Sequence, residues 1–599
     1  MAVGRSDRGR QRIECPTVTD AGGPSGLSIQ GASDRGGAAA TGPGLPAFLL
    51  AVAAGHVIWN RLVWDGIPLQ TDAGIWAYIG GRLLDGAVLY RDLWDNKPPG
   101  VFHAFAVCQW LFGRARDWPL LWMDAVVSLA AGGLTYLLAR RYASVVASAA
   151  AALLFSFIFC HRVLADWGCN AEKFVAVFEV SACLLAVSYL RRGVVGRGWI
   201  CVGLLCGLAT MFKQTGVVML LAAGAGILLS AKRPNRPIQR GSIPWLWLGA
   251  AGPWMVICGW MMTAGNVDEF WRQVVVHDLH RAVANSEAGG PRWLSVEHWR
   301  GVWEQLRLAA VIIGPAAIAV VARLVHRRSR PTANTADVDP MPPDLALIVV
   351  YAALSLAVFL IAPHGYGHYL LQAAPPAAVL TAIALDGLRD AGRQHAVAGL
   401  TAVVGAFGAW QLGDHFTFLS DPSCPARAAY RAQAEAMAGR VTTIRANSDD
   451  GDRVMVWPTD HAASFYARRV TPLEIGHTID IFRGNIRLLD PPMERIIDHV
   501  KSNPPGLIVD STGVRVGIER QPDAGPEPYL LLQAGVSLAE PPGNAQPTVE
   551  GRSLAPLRAW VRENYGGQRR VGDSTVYFLG QPWRDWQDYM LSSRPASMR

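Results

Sequence analysis

The segment TDAGIWAYIGGRLLDGAVLYRDLWDNKPPG, Thr71 to Gly100, gathers four aspartates, two arginines and a lysine directly after a long apolar run. Two of these residues could share the work of a group transfer. Asp72 precedes a helical pattern, so it either caps that helix by accepting backbone N–H groups or, held partly desolvated at an interface, acts as a general base. Lys97 stands before two prolines that fix an extended entry into the next helix. It is either a lysine snorkelling to the interface or a cation for a lipid phosphate. Lys213 in ATMFKQTG has the same two readings, and Glu172 in CNAEKF opens an apolar run, where an acid favours the positive end of a helix dipole. His364, Tyr366, His368 and Tyr369 in PHGYGHYL form a polar aromatic cluster whose default role is interfacial anchoring. His277 and His280 share one helical face in VVVHDLHRAVAN and, with an acid, could hold a metal. No third ligand accompanies them, so a divalent metal is left open and unsupported.

These residues sit in a chain that otherwise avoids charge. Of its 599 residues 51% are hydrophobic and 17% charged, against about a quarter charged in ordinary globular domains, which excludes a soluble protein. Apolar runs at about 45–62, 119–139, 144–163, 174–190, 199–212, 216–231, 243–263, 302–321, 345–362, 369–385 and 396–412 predict an α-helical polytopic membrane protein with about eleven transmembrane helices. Residues 1–44 read as a disordered cytoplasmic tail, followed by a first anchor that is retained. The net charge of +8 does not call for nucleic acid, because the basic residues lie mainly in short loops. Five alternate loops, starting at Arg140, Arg191, Ala231, Ala322 and Leu388, hold fifteen Lys and Arg against one acid, Asp390. The positive-inside rule puts them in the cytoplasm and the N-terminus with them. The opposite loops, including 64–118, then carry nearly every chemically capable side chain on the outer face. Val101–Gly113 reads as an interfacial helix rather than a span, since a span there would invert every later loop; Gly74–Gly86 reads the same way. The nine cysteines show neither zinc spacing nor a disulfide framework.

From about Gly413 the pattern changes. DRVMVWP, GLIVDS and STVYFLG read as strands alternating with helical segments, which implies a small extracytoplasmic α/β domain, 413–599, with a mostly parallel sheet. It has no GxGxxG, P-loop or nucleophile elbow and is assigned no chemistry.

The order of an acid after the first span, an AYIG-type helix, YRDLWDNKPPG, NAEKF, FKQTG and HYLLQAAPP resembles the bacterial polyprenyl-phosphate-sugar glycosyltransferases of the GT-C superfamily, among them the protein O-mannosyltransferase-like and aminoarabinose transferase-like enzymes. The resemblance covers about 45–412 and implies a transmembrane catalytic domain that moves a monosaccharide from a polyprenyl-phosphate donor, with inversion, to an extracytoplasmic glycan, lipid or protein. Asp72 would take the place of the catalytic carboxylate. Lys97 would take that of the donor-phosphate contact, with Lys213 beside it and Asp92, Asp95, Asn96, Glu172, His364, Tyr366 and His368 as supporting polar residues. The departure is Asn96, where aminoarabinose-transferase-like members have an acid; Asn carries no charge, so a second carboxylate role falls to Asp95 or Glu172 or is absent. The setting implied is the bacterial inner membrane, with membrane lipids as partners. Two other readings stay open. A polyprenyl-diphosphate glycan ligase or polymerase would concentrate arginines in a late loop, and a transporter would show internal repeats.

Overall fold

The computed structural model describes residues 44–69, 71–165, 168–231, 237–277, 279, 295–328, 341–362, 366–387, 406–410, 412–457, 461–472, 498, 500–510, 560, 563–571 and 574–579. Seven helices among them are long and apolar enough to cross a membrane: Gly44–Trp64, Trp118–Ala139, Ala171–Arg192, Gln214–Ala231, Arg240–Ala264, Pro343–Ile361 and Gly367–Asp386. The run expected to span at 302–321 is broken by 86° between His298–Leu308 and Ala310–Ile318. The runs expected at 144–163 and 199–212 form the shorter apolar helices Val145–Phe159 and Gly196–Phe212. Fifteen residues of helix rise only ~22 Å, less than the ~30 Å of hydrocarbon. The run at 396–412 lies mostly outside the described residues.

Helices are named in chain order: α1 Gly44–Trp64, α2 Thr71–Leu84, α3 Gly100–Phe112, α4 Trp118–Ala139, α5 Val145–Phe159, α6 Ala171–Arg192, α7 Trp199–Phe212, α8 Val217–Ala231 and α9 Ile243–Ala264. The packing of α7 on α9 is set by small residues. A Cβ added at Gly203 would lie 2.0 Å from the Leu246 carbonyl oxygen, one at Gly207 2.4 Å from that of Ala250, and one at Gly249 2.2 Å from that of Ile200. Backbones therefore touch here, the source of close contact where no hydrophobic drive separates helix from lipid.

The loops fall at two ends of the bundle. At the basic end Arg191 pairs with Asp344 at 2.7 Å and lies 4.5 Å from the centroid of the Tyr142 ring. There too the Ser144 N–H donates to Asp386, and the Gly196 N–H to Ser242. The segments around 64–100, 165–172, 213–216, 265–277 and 366–369 meet at the other end through the contacts given below.

Helix α3, expected to lie at the interface, has one buried and one exposed apolar side. Val101, Phe102, Phe105 and Cys108 are buried, while Val107, Trp110, Leu111 and Phe112 are exposed on the other side. Helix α2 departs from the expected one-sided pattern, for Ala73 to Gly80 are all buried, and a Cβ at Gly74 would sit 2.8 Å from that of Ala462. The reason is tertiary. One side of α2 packs on α3, where Gly80 meets the Ala106 amide, and another is covered by the helix His461–Ala467 of the C-terminal region. Tyr78 stacks on His461 with ring centroids 5.4 Å apart, its hydroxyl accepts the Thr471 N–H, and Tyr466 donates to Asp117.

In the C-terminal region the four described strands, β1 Val454–Trp457, β2 Leu507–Asp510, β3 Tyr565–Val571 and β4 Ser574–Leu579, run in the order β1-β2-β4-β3. Only β1 and β2 are parallel; β4 is antiparallel to both β2 and β3. The expected mostly parallel sheet is thus a mixed one, because β3 and β4 form a hairpin that the helical pattern ending at Tyr565 concealed.

Candidate active site

The charged segment after α2 is a loop buried at Leu89, Tyr90 and Leu93 to Asn96, so the backbone groups there need partners. Side chains from the stretch after α9 supply them: Asn266 donates to the Leu89 carbonyl at 2.6 Å and Gln273 to the Tyr90 carbonyl at 2.6 Å. Tyr90 itself adopts φ 68°, unusual for a non-glycine residue, and its hydroxyl donates to the Lys97 carbonyl at 2.8 Å. Asp95 is fully buried, and its carboxylate accepts the Lys97 N–H at 2.9 Å, a local turn that shapes the entry to Pro98 and Pro99. Asn96 is buried as well; its carbonyl accepts from Gln214 and its side-chain oxygen accepts from the Lys97 ammonium at 3.2 Å. As the sequence implied for Asn96, Lys97 meets a neutral oxygen there, so this partner adds no negative charge beside it.

Below the loop, the N-terminus of α3 abuts the end of α7: a Cβ at Gly100 would lie 2.6 Å from the Met211 carbonyl oxygen. That close approach sets Lys97 beside the break between α7 and α8, where Lys213 projects. Lys213 is buried, forms an ion pair with Glu172 of α6, and its ammonium lies 3.8 Å from the centroid of the Tyr369 ring. His368 stands 3.7 Å from the same Glu172 carboxylate, and its ring stacks between those of Tyr366 and Tyr369 at centroid distances of 5.3 and 5.1 Å. Asp72, in the first turn of α2, is near enough for its charge to act on both Lys213 and His368, and the charge of Lys97 acts on His368. Five separate segments therefore bring Asp72, Lys97, Glu172, Lys213, Tyr366 and His368 together.

The other expected residues do not join them in the same way. Asp92 accepts the Val88 N–H at 2.7 Å and pairs with exposed Arg91, whose hydrogen bonds hold its carboxyl below the usual range and keep it ionised. Asp95 is spent on the turn before Lys97. His277 lies edge-on to Trp94, with centroids 5.0 Å apart. His280 and His364 lie outside the described residues. Among the described residues no group of three or more His, Cys, Asp or Glu could hold a metal ion.

Several polar residues that the motifs did not single out are buried next to this cluster. Asp124 of α4 pairs with Arg61 of α1 and Lys173 of α6, each at 2.9 Å. Glu179, two turns along α6 from Glu172, accepts from Tyr351 at 2.9 Å and from Gln372 at 2.8 Å, and Gln372 donates also to the Thr215 carbonyl. A lone acid inside an apolar run was the available signal for Asp124 and Glu179, since such residues mark functional or paired positions.

Residues 96–261 match the family model described as dolichyl-phosphate-mannose-protein mannosyltransferase. The match takes in Asn96, Lys97, Glu172 and Lys213. No curated protein matches the chain. Among solved structures, ArnT from Cupriavidus metallidurans in the apo state superimposes with a TM-score of 0.51 at 15% identity, over 89% of this chain and 97% of that one. The archaeal oligosaccharyltransferase AglB from Archaeoglobus fulgidus, in complex with an inhibitory peptide and a dolichol-phosphate, gives a TM-score of 0.45 at 14% identity, over 90% and 74% of the two chains. The chain is a multi-pass membrane protein with the GT-C fold that it shares with ArnT.

Proposed function

We propose that the protein is a glycosyltransferase that moves a monosaccharide from a polyprenyl-phosphate donor to a hydroxyl of an extracytoplasmic glycan, lipid or protein, with inversion at the sugar. One observation carries this reading: a carboxylate on a buried short helix, Asp72, shares one end of the bundle with Lys97 and with Lys213. Asp72 takes the acceptor proton as the acceptor oxygen bonds to the anomeric carbon. The bond from that carbon to the phosphate oxygen breaks, and its electrons leave with the lipid phosphate. Because a phosphate monoester has a second pKa of about 6, the leaving group needs cations more than a proton. Lys97 and Lys213 provide them, with Glu172 holding Lys213 in place. A lipid-borne donor is consistent with the GT-C fold and needs no nucleotide site.

The test is transfer by the purified protein in nanodiscs from synthetic polyprenyl-phosphate sugars. Lys97→Ala is expected to raise the donor KM by about 10- to 100-fold, the loss of one charge-assisted hydrogen bond. An unchanged donor KM in a folded Lys97→Ala protein would remove Lys97 from the phosphate site.

We place the arginine-rich end and residues 1–44 in the cytoplasm of a bacterial inner membrane, and the region after Leu412 outside. A reporter active only outside the membrane, fused after Leu412, is expected to give signal; signal from a cytoplasm-only reporter at that point would reverse the orientation.

A further inference from the structure

We infer that Asp124 is a positioning residue for this site, acting through the turn that starts α6; the inference rests on the transferase reading above. Glu172 and Lys173 are consecutive, so their side chains leave the helix ~100° apart. They carry opposite charges and each ends in a separate buried ion pair, Glu172 with Lys213 and Lys173 with Asp124. The first turn of α6 is therefore held from two sides, and a rotation that satisfies one pair breaks the other.

Asp124 also holds the chain just before that turn. Its Oδ1 accepts the Cys169 N–H at 2.6 Å, and Cys169 has φ 57°, a left-handed conformation for a non-glycine residue. Such strain persists only where surrounding contacts over-determine it. The Cys169 thiol donates to the Leu120 carbonyl at 2.9 Å, one turn before Asp124 on α4. Gly168, at φ +105°, packs so closely that a Cβ would lie 2.1 Å from Nη1 of Arg61, the second cation on Asp124. Ser128 accepts from the Lys173 ammonium at 3.3 Å. Arg61, Asp124 and Lys173 are each 0–1% exposed, so this cluster does not itself meet substrate. What it reaches is the direction of Glu172, and through Glu172 the Lys213 ammonium.

Asp124→Asn removes the negative charge between two buried cations but keeps the shape and an acceptor oxygen for the Cys169 N–H, and so disturbs the packing least. Lys173→Met leaves Asp124 paired with Arg61 and serves as the second variant if Asp124→Asn does not fold. The experiment is a double-mutant cycle with Glu172→Gln on full-length protein in nanodiscs. Each single variant is expected to lower donor kcat/KM by ~10- to 100-fold, and the double variant to fall no more than ~3-fold below the weaker single. The donor KM is expected to rise with that loss while the acceptor KM stays within about 2-fold, a split that general loss of folded enzyme, which lowers kcat and leaves both KM values unchanged, does not produce. Multiplying losses, or an acceptor KM that rises with them, would overturn the positioning role. Binding of a polyprenyl monophosphate to the wild type separates this from the parent reading: no binding overturns the transferase assignment, whereas binding with multiplying losses overturns only the role of Asp124.

Discussion

Asp72→Asn is expected to lower kcat by about 10³-fold while leaving the fold and the affinity for a polyprenyl monophosphate close to wild type, because Asn keeps the shape and one acceptor oxygen but cannot take a proton at neutral pH. A positioned general base contributes ~10²–10⁴-fold, and here the attacking hydroxyl is the partner that needs help, since the phosphate leaves readily. The measurement is single-turnover transfer from a synthetic donor, alongside binding of the monophosphate and a thermal melt. The helix N-terminus offers the opposing expectation: if Asp72, the second residue of α2, only complements the positive end of the helix dipole, its neutralisation costs about 0.3–1 kcal/mol of stability and turnover would stay near wild type. Retained turnover in a folded Asp72→Asn protein would therefore end its assignment as base. The two outcomes differ by three orders of magnitude, which makes this the most decisive single substitution.

Gly203→Leu is expected to lower the thermal midpoint strongly or to abolish recovery of monodisperse protein. A Cβ at that position already falls 2.0 Å from a main-chain oxygen of α9, and neither backbone can move aside as a flexible side chain would. Overpacking of a well-filled core costs about 1–3 kcal/mol and occasionally more, and here the rest of the leucine side chain adds to the collision. Gly207 and Gly249 repeat the contact along the same pair of helices, so separating them at one point strains the others. Gly252 on the same helix α9 faces open space, and Gly252→Leu should melt close to wild type. A Gly203→Leu protein as stable as Gly252→Leu would mean that α7 and α9 do not touch in this way. The effect also bears on function, because the end of α7 supports both Gly100 and Lys213.

The polytopic character was legible because a membrane span is a local property: about twenty apolar residues announce themselves without reference to any partner. What that test does not read is where a helix stops or bends. Val145–Phe159 is as apolar as the spanning helices yet stops at Cys160. The break at Ala309 between two helical pieces likewise left no Gly or Pro at the bend itself. Helix α2 shows the same limit from the other side, since its helical periodicity was visible while its burial by His461–Ala467, about 390 residues later in the chain, was not. In the sheet, β1, β2 and β4 had apolar strand patterns, but β3 begins YGGQRR, whose glycines and charges suit a strand only once β4 pairs with it.

By itself the sequence determined which residues could do chemistry and that most of them lie in loops of one set. Asp72, Lys97, Glu172 and Lys213 are each conspicuous as polar groups beside apolar runs, and the double proline marks Lys97 as held in an extended entry. The tertiary structure alone decided who meets whom. Ion pairing depends on distance in a low-dielectric interior, and the pairs Glu172 with Lys213, His368 with Glu172, and Asp124 with Arg61 and Lys173 join residues that are 41 to 196 positions apart or lie on different helices. It also sorted the aspartates of the first loop, giving Asp95 to a backbone turn and Asp92 to Arg91. Burial leaves a carboxylate only the partners that packing provides, and packing is a property of the whole chain.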